Sequence, residues 1–202
     1  MTGRVLPRSF YARPAHVVAP DLLGRDLVAR HPRGGFLVAR IIETEAYGPR
    51  DPASHAFRGP TARNASMFGP PGRLYVYFTY GMHWCVNVVT GRPGEGSAVL
   101  LRGAIPLRGQ EVMARRRGRD RERDLCSGPA KLAQAFGIDG GLDGADVVRG
   151  PVRLQTGVAP LAQAVVRGPR IGISRARDVP WRFRFEDRKS TRLNSSHTDI
   201  SR

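Results

Sequence analysis

Hydrophobic and polar residues alternate along several short segments of the chain, with the period of two that is typical of β-strands. These segments are rich in Val, Ile, Tyr and Phe and are bounded by Gly and Pro. The pattern predicts strands over residues 25–30, 35–47, 74–80, 84–90, 97–102, 152–155, 170–174 and 182–185.

Helical spacing occurs in only a few segments. It predicts helices over residues 14–23, 106–117 and 128–137, the first ending at Gly24 and the last capped by Ser127. Residues 51–72 are predicted to be a loop because they contain four prolines and three glycines. The strands follow one another in runs instead of alternating with helices, so we expect an α+β fold with a largely antiparallel sheet.

Length and composition are those of one domain. The chain has 202 residues, 41% of them hydrophobic, which is enough to bury a sizeable core. No segment approaches the roughly 20 apolar residues that a membrane span needs, and the first ten residues lack the apolar run of a secretory signal. The sequence therefore predicts a cytoplasmic protein.

The net charge makes a polyanion the expected partner. The chain has 33 Lys and Arg residues against 17 Asp and Glu, a formal charge of +16. Of the basic residues 31 are arginine, whose planar fork matches phosphate oxygens, although GC-rich codon usage also favours it. The predicted helix start from Ser127 to Lys131 offers free backbone N–H groups and a lysine, which suits an anion site as well as an ordinary cap.

The last residues differ in composition from the rest. Seven of the twelve residues over 190–201 are Ser, Thr or Asn, whereas only six serines occur in the preceding 189 residues. The sequence therefore predicts a domain over residues 1–187 and a non-native or disordered tail over 188–202. This tail holds four basic residues and one acidic residue, so the rest of the chain still carries +13.

One predicted strand runs from an apolar interior into two acids and an aromatic residue. Alternation places Glu43, Glu45 and Tyr47 on one face of this strand, together with Ile41. Carboxylates at the rim of a buried strand are suited to proton transfer, and a solvated acidic strand end is the alternative. A lone histidine such as His55 is more often structural than catalytic, but His55 follows Glu45 by only ten residues through a loop, so both side chains could meet at one pocket.

Aromatic residues cluster around the predicted hairpin between residues 74 and 90. Tyr75 and Phe78 are expected in the core of the sheet, whereas Tyr80 lies at the hairpin tip, where a bulky ring has no core to fill. Aromatic side chains on a basic protein stack on bases or wedge into a duplex step. Tyr80 is therefore a candidate wedge.

Together these segments resemble the alkyladenine (3-methyladenine) DNA glycosylase family, whose mammalian-type members also occur in bacteria. The matching motifs keep the family's order and spacing from about Leu6 to Phe185. They are Leu22-Leu23-Gly24, Glu43-Thr44-Glu45-Ala46-Tyr47, Asp51-Pro52-Ala53-Ser54-His55, Arg63-Asn64 with Met67-Phe68, Tyr75-Val76-Tyr77 with Tyr80-Gly81-Met82-His83, Cys85 with Asn87, Val99-Leu100-Leu101-Arg102 and Cys126-Ser127-Gly128-Pro129-Ala130-Lys131-Leu132. The resemblance implies one domain with a curved, mostly antiparallel sheet flanked by helices, like the C-terminal domain of a methionyl-tRNA formyltransferase.

The resemblance also implies a monofunctional glycosylase that flips a damaged purine out of double-stranded DNA and hydrolyses its N-glycosidic bond. Glu45 would be the general base that activates water, and Arg102 would help to hold that water and the carboxylate. Asn87 would stand against the 2-amino group of guanine and reject it. The residues implied to line the base pocket are Tyr47, His55 and Tyr77, and those implied to contact DNA are Tyr80, Arg63, Asn64, Ser127 and Lys131.

The implied chemistry needs no cofactor. Alkylated purines such as 3-methyladenine carry positive charge, which tyrosine faces attract by about 0.5–2 kcal/mol, whereas neutral lesions such as hypoxanthine lack this attraction and need acid assistance at the leaving base. The two cysteines, Cys85 and Cys126, are expected to be reduced packing thiols, and the histidines show no zinc-like spacing with them. We expect a nucleoid-associated monomer with no metal, no membrane contact and no obligate protein partner.

Two other interpretations stay open at this point. One is a non-catalytic binder of damaged DNA or structured RNA on the same scaffold, in which Glu45 would only reduce affinity for a polyanion. The other is a glycosylase with a lyase step through Lys131, although no lysine stands in the pocket motifs.

Overall fold

The computed structural model describes residues 3–31, 34–157 and 165–186. The predicted tail over 188–202 lies outside these residues. The strands are β1 (Asp26–Arg30), β2 (Phe36–Tyr47), β3 (Leu74–Thr79), β4 (His83–Thr90), β5 (Ser97–Arg108), β6 (Val152–Gln155), β7 (Val165–Gly168) and β8 (Arg182–Phe185). The helices are α1 (Arg8–Tyr11), α2 (Ala15–Asp21), α3 (Gln110–Arg117) and α4 (Pro129–Phe136), with single 3₁₀ turns at Ala65–Phe68, Glu122–Asp124 and Gly140–Leu142.

These strands form one curled antiparallel sheet in the order β3-β4-β5-β2-β1-β6. On one side β2 pairs with β5 from Val38 to Tyr47, and on the other it pairs first with β1 and then with β8, which in turn pairs with β7. Helix α2 packs against β2 and β5, and α4 packs against β4 and β5. The predicted α+β fold with a mostly antiparallel sheet is confirmed. Within the described ranges, no helix is both long and apolar enough to span a membrane.

Strand β5 runs further than the sequence pattern predicts. It continues to Arg108, so residues 106–108 are strand and α3 begins only at Gln110. Pro106 pairs with Ala39 beside a shift of register, and such irregularities are where strands tolerate proline. Gly109 then turns the chain with a φ of +81°, and a Cβ there would lie 2.5 Å from the Leu37 side chain.

The prediction of a strand over residues 170–174 is wrong. This segment is irregular, and the strand lies earlier in the chain, at β7, where it pairs with β8. Gly172 has a φ of +76°, which a strand does not allow, and the Arg170 guanidinium is bonded inside the protein.

Helix α4 starts without the predicted cap. Gly128 occupies the N-cap position, and no side chain accepts a hydrogen bond from the first turn. The Ser127 hydroxyl instead accepts from Lys131 Nζ at 3.2 Å, so the prediction that Ser127 caps the helix is wrong. Pro129 does occupy the first turn, as predicted.

A small second core lies apart from the main one. The main core fills the space between the sheet and helices α2 and α4, whereas the second consists of Ala56, Met67, Tyr75, Val89 and Ala98. Tyr47, Phe68 and Tyr77 pack against this second core. The expectation of a buried Phe78 is wrong, since this ring is 41% exposed and packs against Trp84 at 4.7 Å between centroids.

Candidate active site

A cleft of about 920 Å³ opens above the second core. Its walls are the end of β2, the loop over residues 52–64, strands β3 and β4, the start of α4 and the segment over residues 171–175. The predicted site residues on this lining are Tyr47, His55, Arg63, Asn64, Tyr77, Tyr80, Asn87 and Arg102.

Glu45 is fully buried immediately beside this lining. Its Oε2 accepts hydrogen bonds from the Tyr47 hydroxyl at 2.9 Å and from Arg102 Nη1 at 3.2 Å. Its Oε1 accepts from the backbone N–H of Ile171 at 2.8 Å. Three donors therefore hold both oxygens of one buried carboxylate, as a charge removed from water requires.

Arg102 also joins Glu45 to the neighbouring acid. Its Nε donates to Glu43 Oε1 at 3.1 Å, and Arg182 Nε lies 2.8 Å from the same oxygen. The side chain of Glu43 is 25% exposed, whereas that of Glu45 is not exposed at all. Of the two acids, Glu45 is the one enclosed by the protein.

Irregular pairing between β2 and β5 decides which way these acids face. The register shifts between Ile41 and Glu43 and again between Glu43 and Thr44. Ile41 and Ala46 consequently both pack into the main core, while Glu45 contacts Arg102. The prediction that Ile41 shares a face with Glu45 is therefore wrong, because a bulge changes the alternation of side chains along a strand.

Three aromatic side chains form one side of the cleft, and we call His55, Tyr75 and Tyr77 the aromatic wall. The His55 ring lies edge-on to Tyr77, with 4.6 Å between centroids, and Tyr75 stacks with Tyr77 at 5.4 Å. His55 Nδ1 lies 2.8 Å from the Tyr75 hydroxyl. Burial, together with the charge of Arg63, lowers the pKa of His55, so its imidazole is neutral at physiological pH.

The tyrosines of the cleft keep their protons. Burial raises the pKa of Tyr47, and the nearby Glu45 carboxylate raises it further. Burial likewise raises the pKa of Tyr77, and it raises that of Tyr75 to about 12. All three hydroxyls are therefore neutral, and the rings carry no charge.

Asn87 lies on β4 directly opposite Tyr75. It is 4% exposed, and its Nδ2 donates to the Tyr75 carbonyl at 3.1 Å. This bond fixes the amide at the floor of the cleft, on the strand next to the aromatic wall.

The hairpin between β3 and β4 carries Tyr80 at its tip, as predicted. The side chain is 81% exposed, and its backbone has a φ of +51°, in the left-handed region. Gly81 follows with a φ of +66°, and Met82 N–H donates to the Thr79 carbonyl at 3.2 Å. A tyrosine in this conformation is strained and contributes little to the core.

The other residues predicted to contact DNA lie around the rim or beneath it. Arg63 Nη2 donates to the Phe78 carbonyl at 2.7 Å. Asn64 is 4% exposed and its amide donates to the His55 carbonyl at 2.8 Å, so this side chain organises the loop. Ser127 and Lys131 flank Pro129 and Ala130, which do line the cleft.

Sequence reasoning missed three groups that hold the site together. Ile171 supplies a backbone donor to Glu45, and Arg170 and Asp51 form a buried ion pair next to it. Asp51 belongs to a recognised motif, but a backbone N–H and one arginine among 31 carry no signal of their own.

Both cysteines are free and buried. Burial raises the pKa of the Cys85 thiol and raises that of Cys126 to about 12, as expected for packing thiols. Among the described residues, no group of three or more His, Cys, Asp or Glu side chains is arranged to hold a metal ion.

The sequence model of the methylpurine-DNA glycosylase family matches residues 9–189 of the chain. The chain belongs to this family. The predicted family resemblance is thereby confirmed, and the protein is a DNA glycosylase of DNA repair that acts on DNA.

Bacterial relatives of the methylpurine-DNA glycosylase family cover most of the chain. A protein of Burkholderia cenocepacia is 53% identical over 90% of this chain and 87% of its own length. One of Carboxydothermus hydrogenoformans is 50% identical over 92% of this chain and 97% of its own length. A third, of Rhodopseudomonas palustris, is 51% identical over 90% of this chain and 87% of its own length. All three bear the name "Putative 3-methyladenine DNA glycosylase".

Proposed function

We propose that this glycosylase flips alkylated and deaminated purines out of double-stranded DNA and hydrolyses their N-glycosidic bond, without a lyase step. The observation that carries the proposal is Glu45, a fully buried carboxylate beside an aromatic cleft on a strongly basic chain. The names of the relatives support 3-methyladenine as one substrate. We place 7-methylguanine, hypoxanthine and ethenoadenine in the same substrate class.

Glu45 is the proposed general base. Departure of the purine leaves an oxocarbenium-like sugar, which a nearby carboxylate stabilises while it accepts a proton from the water that attacks C1′. Tyr47, Arg102 and Ile171 hold the carboxylate through hydrogen bonds, which support this role because an oriented base avoids an entropic cost during the reaction.

The proposed base pocket is formed by Tyr47 and the aromatic wall. Neutral tyrosine faces attract a cationic purine by about 0.5–2 kcal/mol, and a neutral His55 does not repel it. Asn87 is proposed to reject guanine, because its side chain, held by the bond to the Tyr75 carbonyl, would stand against the 2-amino group.

The DNA-binding roles follow from exposure and charge. Tyr80, the most exposed aromatic residue among those described, is the proposed wedge that fills the space of the flipped nucleotide. Arg63, Ser127 and Lys131 are proposed to contact phosphates. Asn64 is proposed to support these contacts by holding the loop that carries Arg63.

The decisive test is Glu45→Gln, measured for excision of hypoxanthine from a duplex and for binding to that duplex. We expect excision to fall by about 10²–10⁴-fold because the general base is lost, while binding is retained. The matched control is Glu43→Gln, which removes the more exposed acid on Arg102 and should cost much less. Wild-type excision by Glu45→Gln would show that Glu45 is not the base, and no excision by the wild-type chain would favour a non-catalytic binder.

A further inference from the structure

Arg170 and Asp51 form a buried ion pair next to the Tyr47 ring, outside the lining of the cleft. The side chain of Arg170 is not exposed, and that of Asp51 is 3% exposed. The two side chains are joined by two hydrogen bonds, one of them from Arg170 Nη2 to Asp51 Oδ1 at 3.0 Å. Neither residue lines the cleft.

Both terminal nitrogens of the Arg170 guanidinium donate hydrogen bonds inside the protein, whereas its buried Nε has no partner among the described residues. Its Nη1 donates to the Ala46 carbonyl at 3.0 Å, between Glu45 and Tyr47 in the chain. Its Cζ lies 4.8 Å from the centroid of the Tyr47 ring and 5.6 Å from that of Trp181. One planar cation thus joins the end of β2, the Asp51 loop and the segment that begins at Arg170.

Two features of the site depend on the position of this guanidinium. The next residue, Ile171, donates its backbone N–H to Glu45 Oε1 at 2.8 Å, and the Tyr47 ring that packs on Arg170 donates its hydroxyl to Glu45 Oε2 at 2.9 Å. Two of the three donors to Glu45 are therefore placed through Arg170. Asp51 also accepts from Ala53 N–H at 3.0 Å, which fixes the turn that leads to His55.

We propose that the Asp51–Arg170 ion pair is a positioning device for the general base: it holds Ile171 N–H and Tyr47 against Glu45, and so sets the rate of excision without contacting the substrate. This inference rests on the proposed role of Glu45. A lysine at position 170 keeps the charge but loses the fork and the flat face, so it cannot bond Asp51 and Ala46 in the same geometry.

The test compares Arg170→Lys with the wild-type chain. We expect the single-turnover excision rate on a hypoxanthine duplex to fall by about 100-fold, because small misplacements of catalytic groups have effects of that size. Binding to a duplex with an abasic-site analogue should be unchanged. Amide hydrogen exchange over residues 170–176 should become faster, since the Ile171 N–H loses its fixed acceptor.

Arg40→Lys is the matched control. Arg40 Nε pairs with Asp26 Oδ1 at 3.0 Å within the same sheet, and neither residue lines the cleft. This variant should keep both the excision rate and the exchange of residues 170–176. If Arg170→Lys does not fold, the double variant Asp51→Leu with Arg170→Met replaces it, because removal of both charges leaves neither one unpaired in the interior.

Each result has one meaning for the proposal. Wild-type excision by a folded Arg170→Lys protein overturns it, and so does a loss of excision matched by an equal loss of binding. Slow excision with retained binding and faster exchange supports it. If the wild-type chain excises no damaged purine, the proposed function fails, whereas the exchange of Ile171 still reports whether Arg170 positions that N–H.

Discussion

His55 shows how burial sets the chemistry of a single residue in this cleft. Its ring lies between Tyr77 and the Tyr75 hydroxyl, and burial lowers its pKa from the ordinary 6.5. A neutral imidazole suits a pocket for cationic purines, since a second positive charge would repel them. Because burial opposes protonation of His55, the free energy of unfolding should depend on pH.

We predict that His55 makes the folded state less stable as the pH falls below the ordinary histidine pKa of 6.5. Above that value the ring is neutral in both states, and below it the unfolded chain takes up a proton that the folded chain does not. Urea midpoints at about pH 7.5 and about pH 5.5 measure the loss, since carboxylates titrate mainly below this window. His55→Gln should show a smaller loss; an equal loss in both proteins would contradict the prediction.

Among the elements, the β3–β4 hairpin has a strained backbone at Tyr80 that contributes nothing visible to packing. Tyr80 holds a left-handed backbone that costs about 1–2 kcal/mol for a residue with a side chain, yet its ring is 81% exposed. Strain that persists without a packing benefit indicates a functional role. The strained, exposed Tyr80 at the tip of this hairpin supports its proposed role as the wedge.

Tyr80→Ala should leave folding almost unchanged, within about 0.5 kcal/mol, because an exposed ring is removed. Binding to a duplex with a damaged purine should weaken by about 1–3 kcal/mol, the usual value of an aromatic–base stack. Met82→Ala, at a 66% exposed position of the same turn, is the control and should bind normally. If both substitutions weaken binding equally, Tyr80 is not the wedge.

At the scale of the whole molecule, the cleft and strand β6 lie at opposite ends of the strand order. Strands β3 and β4 line the cleft at one end of the order, and β6 lies at the other. The formal charge of +16 attracts DNA to the protein as a whole, but phosphate contacts should be concentrated around the cleft.

Lys131→Gln should therefore reduce the slope of log K against log salt by about one, equally for damaged and undamaged duplexes. Arg153→Gln, on β6, removes the same charge at the far end of the sheet order and should leave the slope unchanged. Titrations of fluorescent duplexes at several salt concentrations measure both. A full effect of Arg153→Gln would mean that the DNA also covers that end of the sheet.

Much of the fold and of the candidate site could be predicted from local pattern. Glu45 and Tyr47 are two residues apart on a part of β2 without a register shift, so their side chains share a face as alternation predicts, and they are hydrogen-bonded. The exposed tip at Tyr80 likewise follows from a glycine between two strands. Where the pattern failed, at Pro106 and at residues 170–174, pairing with distant segments decided the conformation.

What the sequence by itself determined is therefore the family, the α+β class and the strand that carries Glu45, the proposed general base. Only the tertiary structure decided that a bulge against β5 turns Glu45 away from the face of Ile41. It also brought Ile171 to Glu45 and Arg170 to Asp51, across 126 and 119 residues of chain. Periodicity reports contacts between near neighbours, whereas these contacts exist because buried charges and backbone donors must find partners wherever the fold brings them.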